Sequence, residues 1–121
     1  MKFDLRIYVF LCGVDPLRIY MHKEGLSRFA TEEYQPPTNN NLNNLYMHLT
    51  NYAINKNSSK FVFNKSDEDD SVGHKRSLAY VYRLLEERGY DSKKVQKDIK
   101  QTIIKTICAV QPSLSHIYRS C

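Results

Sequence analysis

Lys2-Phe3-Asp4-Leu5-Arg6-Ile7-Tyr8-Val9-Phe10-Leu11 opens the chain with the alternation of a β-strand. Side chains along a strand point to opposite faces in turn. Phe3, Leu5, Ile7, Val9 and Leu11 therefore share one side, and Lys2, Asp4, Arg6, Tyr8 and Phe10 share the other. The first side is the expected core. The second sets a carboxylate between two cations, and a charge withdrawn from water requires a partner. That side reads equally as the solvated outer face of a ribbon or as a site. Gly13-Val14-Asp15-Pro16 supplies turn chemistry, and Leu17 to His22 alternates again, so the spacing predicts a hairpin. Glu24-Gly25 closes the second strand. Leu26 to Thr31 reads as a third strand or a turn, and Arg28 within it, taken alone, as a surface arginine lying over Phe29.

Beyond the hairpin, Pro36-Pro37 and the asparagines between 39 and 44 oppose both helix and strand and predict an exposed connector. Leu45 to Lys56 mixes imidazole, hydroxyl and amide groups with apolar ones. This stretch reads either as a buried polar network, tolerable only if each group is satisfied, or as a strand edge with local side-chain bonds. Ser58 to Asp70 is polar, ends in the acidic run Asp67-Glu68-Asp69-Asp70, and predicts a solvated loop. Leu78, Val81, Tyr82 and Leu85 then mark one face of a helix over Ser77 to Arg88, with Gly89 as its stop. Asp91 or Ser92 caps a second helix. Its apolar face is Val95, Ile99, Ile103, Ile107 and Val110, with lysines over much of the remaining surface. Pro112 is expected to end it, and Leu114 onward to trail away.

The 121 residues suit a single domain. A formal net charge of +5 favours an acidic partner. The basic residues are nonetheless dispersed, and no compact Lys/Arg run marks a nucleic-acid patch. Three cysteines without a Cys-x-x-Cys pair point to neither a disulfide framework nor a zinc site, and four separated histidines lack metal-motif spacing. No metal ligand is therefore expected among the cysteines or histidines. Asp4, Arg6 and Asp15-Pro16 interrupt any signal-peptide reading of the N-terminus, and no apolar run approaches membrane-spanning length. Two asparagine triplets fit the glycosylation pattern, a chemistry that needs secretion, and are set aside.

Taken in order, the motifs resemble the tubulin tyrosine ligase-like family, and within it the glutamate ligases that polyglutamylate tubulin. The resemblance rests on Lys2 to Val9, Asp15-Pro16-Leu17-Arg18-Ile19, Glu24-Gly25-Leu26 and Arg28-Phe29-Ala30-Thr31. It continues through Met47-His48-Leu49-Thr50-Asn51-Tyr52, Ile54-Asn55-Lys56, Gly73, Lys75-Arg76 and Ile103-Ile104-Lys105-Thr106-Ile107. It implies an α/β (α+β) chain with part of an ATP-grasp fold: an N-terminal β-hairpin, loops, and two C-terminal helices. The implied reaction activates a glutamate side chain of the tubulin tail as an acyl phosphate, which free L-glutamate then attacks. Cations and preorganised charge stabilise such a transition state.

By that resemblance Lys2, Asp4, His48, Leu49, Thr50 and Asn51 contact ATP. Arg28 and Lys75 hold the incoming glutamate, with Tyr52 and Ala53 completing its pocket, and Arg6 lies near the transferred group. An arginine grips a carboxylate with two parallel bonds and a lysine adds a point charge. Ala53 departs from the serine usual in relatives. The resemblance also places residues 1–121 in the middle of a catalytic domain, with magnesium ligands outside the chain, and so predicts that the chain alone lacks ligase activity. The implied partners are acidic tubulin tails, with no nucleic acid and no membrane. The implied setting is the cytoplasm and the microtubules of the cytoskeleton, cilium or basal body. A glycine ligase of the same family and a non-catalytic tubulin-binding fragment are the alternatives.

Overall fold

The computed structural model describes residues 1–64 and 72–120, so the acidic run Asp67 to Asp70 lies outside the described residues. The architecture is mixed α/β, as expected. Strands β1 (Phe3–Val14) and β2 (Leu17–Phe29) form the hairpin around Asp15-Pro16. A third strand, β3 (Lys75–Ser77), pairs antiparallel with β2 and completes the order β1-β2-β3. Between β2 and β3 lie two single-turn helices, α1 (Leu45–His48) and α2 (Tyr52–Asn55). After β3 come α3 (Leu78–Glu87) and α4 (Ser92–Ser120).

Several expectations change. Leu26 to Phe29 is neither a separate strand nor a turn but the end of β2. The true third strand spans three residues, too few to show an alternation. Residues 45–56 form helical turns rather than a strand edge, and the buried-network reading of that stretch is met by Asn55. Helix α4 runs through Pro112 to Ser120 instead of ending there. Proline removes one helical hydrogen bond and crowds the preceding turn. Gln111 Nε2 donates to the Val14 carbonyl at 2.9 Å and Arg119 pairs with Asp15, so contacts with the hairpin turn flank Pro112 on either side.

The starts of α3 and α4 and the end of α3 follow their sequence signals. Ser77 Oγ accepts the Tyr80 N–H at 3.1 Å at the start of α3, and Asp91 Oδ1 accepts the Lys94 N–H at 3.0 Å at the start of α4. At the end of α3, Gly89 has φ +81°, with the Gly89 N–H on the Glu86 carbonyl and the Tyr90 N–H on the Leu85 carbonyl. This is the two-bond glycine termination, in which the left-handed residue turns the chain back onto the last free carbonyls.

The chain divides into two compact units, Met1–Arg6 with Glu24–Val81, and Ile7–Lys23 with Tyr82–Cys121. The first holds the better-developed core. Ala30, Leu78 and Val81 are almost fully buried, Phe29 and Met47 nearly so, and Ser27, Thr31 and Asn55 are buried with them. In the second, Val14 and Ser92 are buried, while Tyr8, Phe10, Tyr20, Ile104 and Tyr118 are exposed. The stripe Val95, Ile99, Ile103 and Ile107 is only half-buried and Val110 is exposed, so this face of α4 is a partial core face. The apolar side of β1 behaves likewise, with Leu5, Ile7 and Leu11 half-buried and Phe3 and Val9 exposed.

Candidate functional site

The register of β2 and β3 brings two predicted site residues together. Arg28 lies directly across from Lys75, one step from the pair Ser27 with Arg76 and two from Leu26 with Ser77. Directly opposed residues of an antiparallel pair share a face, with Cβ atoms roughly 5 Å apart, and like charges there destabilise the sheet. Two opposed cations therefore call for an anion. Asp4 of β1 supplies part of it. Arg28 Nε donates to both Asp4 carboxylate oxygens at 3.2 Å and Nη2 donates to Oδ2 at 2.5 Å.

Partial burial pushes the Asp4 carboxyl up. The hydrogen bonds from Arg28 and Thr50 and the charge of Arg28 outweigh it, and the pKa falls below its ordinary 3.8. The Arg28 guanidinium is correspondingly raised, first by its hydrogen bond to Asp4. Arg28 thus engages Asp4 instead of lying over Phe29. Arg76 takes that place, its guanidinium carbon 4.7 Å from the Phe29 ring centre and 5.0 Å from that of Tyr80.

The turn from Leu49 to Asn55 is held by one side chain. Asn55 is 1% exposed. Its Oδ1 accepts the Thr31 N–H and hydroxyl, both at 3.0 Å, and its Nδ2 donates to the carbonyls of Leu49 at 2.8 Å and Asn51 at 3.1 Å. A buried amide with both ends satisfied ties this turn to the end of β2, and so sets Thr50 and Tyr52 beside Arg28.

Within this first unit, a cleft of about 670 Å³ is lined by Arg6, Arg28, Thr50, Tyr52, Lys75 and Arg76 on its polar side and by Phe61, Val62, Phe63 and His74 on another wall. Four lining residues are cations, and no described lining residue is a carboxylate. The aromatic wall is ordered by its own contacts. Phe61 meets Tyr52 and Phe63 edge-on at 5.8 and 4.8 Å and stacks on His74 at 5.2 Å. Burial first, together with the charge of Arg76, outweighs the opposing backbone contact with Val62 and holds the His74 imidazole below its ordinary pKa of 6.5.

Of the predicted site residues, then, Arg6, Arg28, Thr50, Tyr52 and Lys75 line one cleft, with Asp4 bonded to two of them. The others do not line it. The Lys2 carbonyl accepts the Ala30 N–H at 2.9 Å. His48 Nε2 lies 3.0 Å from the Asn41 carbonyl, and its ring meets Tyr34 edge-on. Leu49 and Asn51 offer their carbonyls to Asn55, and Ala53 is exposed on α2 with its carbonyl on Asn57 Nδ2. Sequence reasoning assigned no role to Asn55, His74, Arg76 or Phe61. Asn55 and Arg76 stood inside motif stretches and could have been marked; His74 and Phe61 carried no local signal. Among the described residues no three His, Cys, Asp or Glu side chains gather as a metal site, and no helix is long and apolar enough to cross a membrane.

The family model described as the tubulin-tyrosine ligase family matches residues 1–121. A probable beta-tubulin polyglutamylase of Tetrahymena thermophila is 57% identical over 121 residues, all of this chain and 10% of that protein. The mouse tubulin polyglutamylase TTLL13 is 49% identical over 99% of this chain and 14% of its own length. Human tubulin polyglutamylase TTLL11 is 47% identical over 99% and 16%. The chain therefore spans about a tenth to a sixth of the length of these curated relatives.

Proposed function

The chain belongs to the tubulin-tyrosine ligase family, and on that premise we propose that it forms the amino-acid-binding part of a ligase of the tubulin polyglutamylase type. The substrates are free L-glutamate, ATP and glutamate side chains in the acidic C-terminal tails of tubulin, and the place of action is the microtubule cytoskeleton. The observation that carries the proposal is the directly opposed pair Arg28 and Lys75 on β2 and β3. A ligand with two carboxylates relieves their repulsion. Glycine, with one carboxylate, does so only in part.

Roles follow from side-chain chemistry. Arg28 grips one carboxylate with the part of its planar fork that Asp4 leaves available, and Lys75 places a point charge on the other. Tyr52 and the Phe61 wall cover the methylene groups and exclude water. Arg6, on the same cleft, faces the transferred group, where a fixed cation stabilises developing negative charge. ATP, when bound, supplies the phosphoryl group that activates the acceptor carboxylate as an acyl phosphate. Of the residues proposed for it, Thr50 lines the cleft and Asp4 adjoins it. Lys2, His48, Leu49 and Asn51 stand outside, three of them using backbone carbonyls within the fold. The ATP-grasp assignment and the accompanying magnesium, with ligands outside these residues, belong to the same proposal.

Calorimetric titration of the chain tests this reading. L-Glutamate is expected to bind, glycine to bind at least tenfold more weakly, and Arg28→Lys to lose at least tenfold in glutamate affinity, because an ammonium cannot replace the planar fork. Equal affinity for glycine and glutamate would sink it.

A further inference from the structure

Phe61 to Asn64 carries one wall of the cleft, and it is fastened to the segment leading into β3 by contacts that converge on His74. The Val62 N–H donates to His74 Nδ1 at 3.0 Å, the His74 N–H returns to the Val62 carbonyl at 3.3 Å, and the imidazole stacks on Phe61 with ring centres 5.2 Å apart and planes 24° from parallel. Asn64 Nδ2 donates to the Lys75 carbonyl at 2.8 Å. A Cβ on Gly73 would fall 2.0 Å from Asn64 Oδ1, so glycine is what admits this close approach. The His74 carbonyl in turn accepts the Phe29 N–H at 2.8 Å. One residue thus binds the aromatic wall on one side and the Arg28 end of β2 on the other.

We propose that His74 is the positioning residue of the amino-acid pocket, holding the Phe61–Asn64 segment closed beside Lys75 through a hydrogen bond that only the neutral imidazole can accept. The inference rests on the amino-acid-pocket reading of the cleft and deepens it, because it makes the pocket's fit depend on how one histidine fastens the aromatic wall. An Nδ1 that accepts a backbone N–H carries no proton, so the ring is the neutral Nε2–H form. Its charged surroundings agree. Arg76 and Lys75 of β3 and Arg28 of β2 are cationic, the described segment 61–64 is uncharged, and burial further disfavours the imidazolium. As pH falls through a value below 6.5 the ring protonates, the Val62 bond is lost and the wall loosens.

Two variants separate this role from others. His74→Asn keeps an acceptor at the position of Nδ1, and His74→Ala removes it. Calorimetry between about pH 5.5 and 7.5 is expected to show glutamate affinity about fivefold weaker in His74→Ala, the scale of one lost hydrogen bond, and within about twofold of the parent in His74→Asn. The parent's affinity falls once the pH drops below the lowered His74 value, and that of His74→Asn stays flat through the same titration. Unchanged affinity in His74→Ala, or affinity that rises at low pH as for a cation acting directly on the ligand, would overturn the inference. Hydrogen exchange at the Val62 amide, read without ligand, keeps the two readings apart. Protection should drop in His74→Ala and return in His74→Asn. Equal protection in all three proteins refutes the clip, whereas a parent that binds no glutamate but loses protection in His74→Ala refutes the pocket reading instead.

Discussion

Asp4 and Arg28 meet on neighbouring strands with each side chain 36% exposed. Water and salt screen such a pair, and it contributes less than about 1 kcal/mol to stability. Asp4→Asn is therefore expected to shift the urea midpoint only slightly. The folded pKa of Asp4 lies below its ordinary 3.8, so the contribution is fully present above that value and is lost as pH falls through the lowered folded one. Parent and Asp4→Asn should differ by a constant amount above about pH 4 and converge in stronger acid. A difference that grows on acidification would contradict the assignment. Asn55 presents the opposite case, buried and bonded at both ends. Asn55→Ala leaves the Thr31 N–H and the Leu49 carbonyl unsatisfied, with an expected loss of about 3 kcal/mol in denaturant unfolding. Both residues were visible in the sequence, but their difference was not. Alternation marked Asp4 as charged without naming Arg28 as its partner, and the Ile54-Asn55-Lys56 motif contained Asn55 without showing that it is buried and bonded at both ends.

The elements with strong local signals were the legible ones. The hairpin followed from two alternating runs around a turn, and α3 and the start of α4 from periodicity and caps that the backbone then used. Gly89→Ala tests the end of α3 directly. Nothing lies within 4 Å of the added Cβ, so the loss is only that of a left-handed alanine at φ +81°, about 1 kcal/mol in thermal unfolding. A change several times larger would mean that Gly89 is packed. The illegible elements depend on distant partners. β3 exists because residues 26–28 offer it an edge, and α4 continues past Pro112 with its C-terminal half held by Val14 and Asp15. Such pairings between segments far apart in sequence leave no mark on local periodicity. Pro112→Ala restores one helical hydrogen bond and is expected to raise helicity by circular dichroism without altering glutamate binding, since the cleft lies in the other unit.

Across the whole chain, a net charge of +5 sits beside a cleft whose described lining holds four cations and no carboxylate. Long-range attraction favours an acidic partner, and the opposed Arg28 and Lys75 are the basis on which a small dicarboxylate is proposed as ligand. The family resemblance proposed roles for these residues, and the register sets Arg28 opposite Lys75; neither composition nor charge count contained that pairing. Binding of an acidic tubulin-tail peptide, if carried by surface charge, should weaken steadily between about 50 and 300 mM salt, and glutamate binding in the cleft should weaken less because the site is partly enclosed. Amide chemical-shift mapping of isotope-labelled chain during titration with L-glutamate tests the central claim most directly. Saturable shifts concentrated at Arg28, Thr50, Tyr52 and Lys75 and absent along α4 are expected; shifts confined to the lysines of α4, or of equal size with glycine, would contradict a dicarboxylate pocket in the cleft.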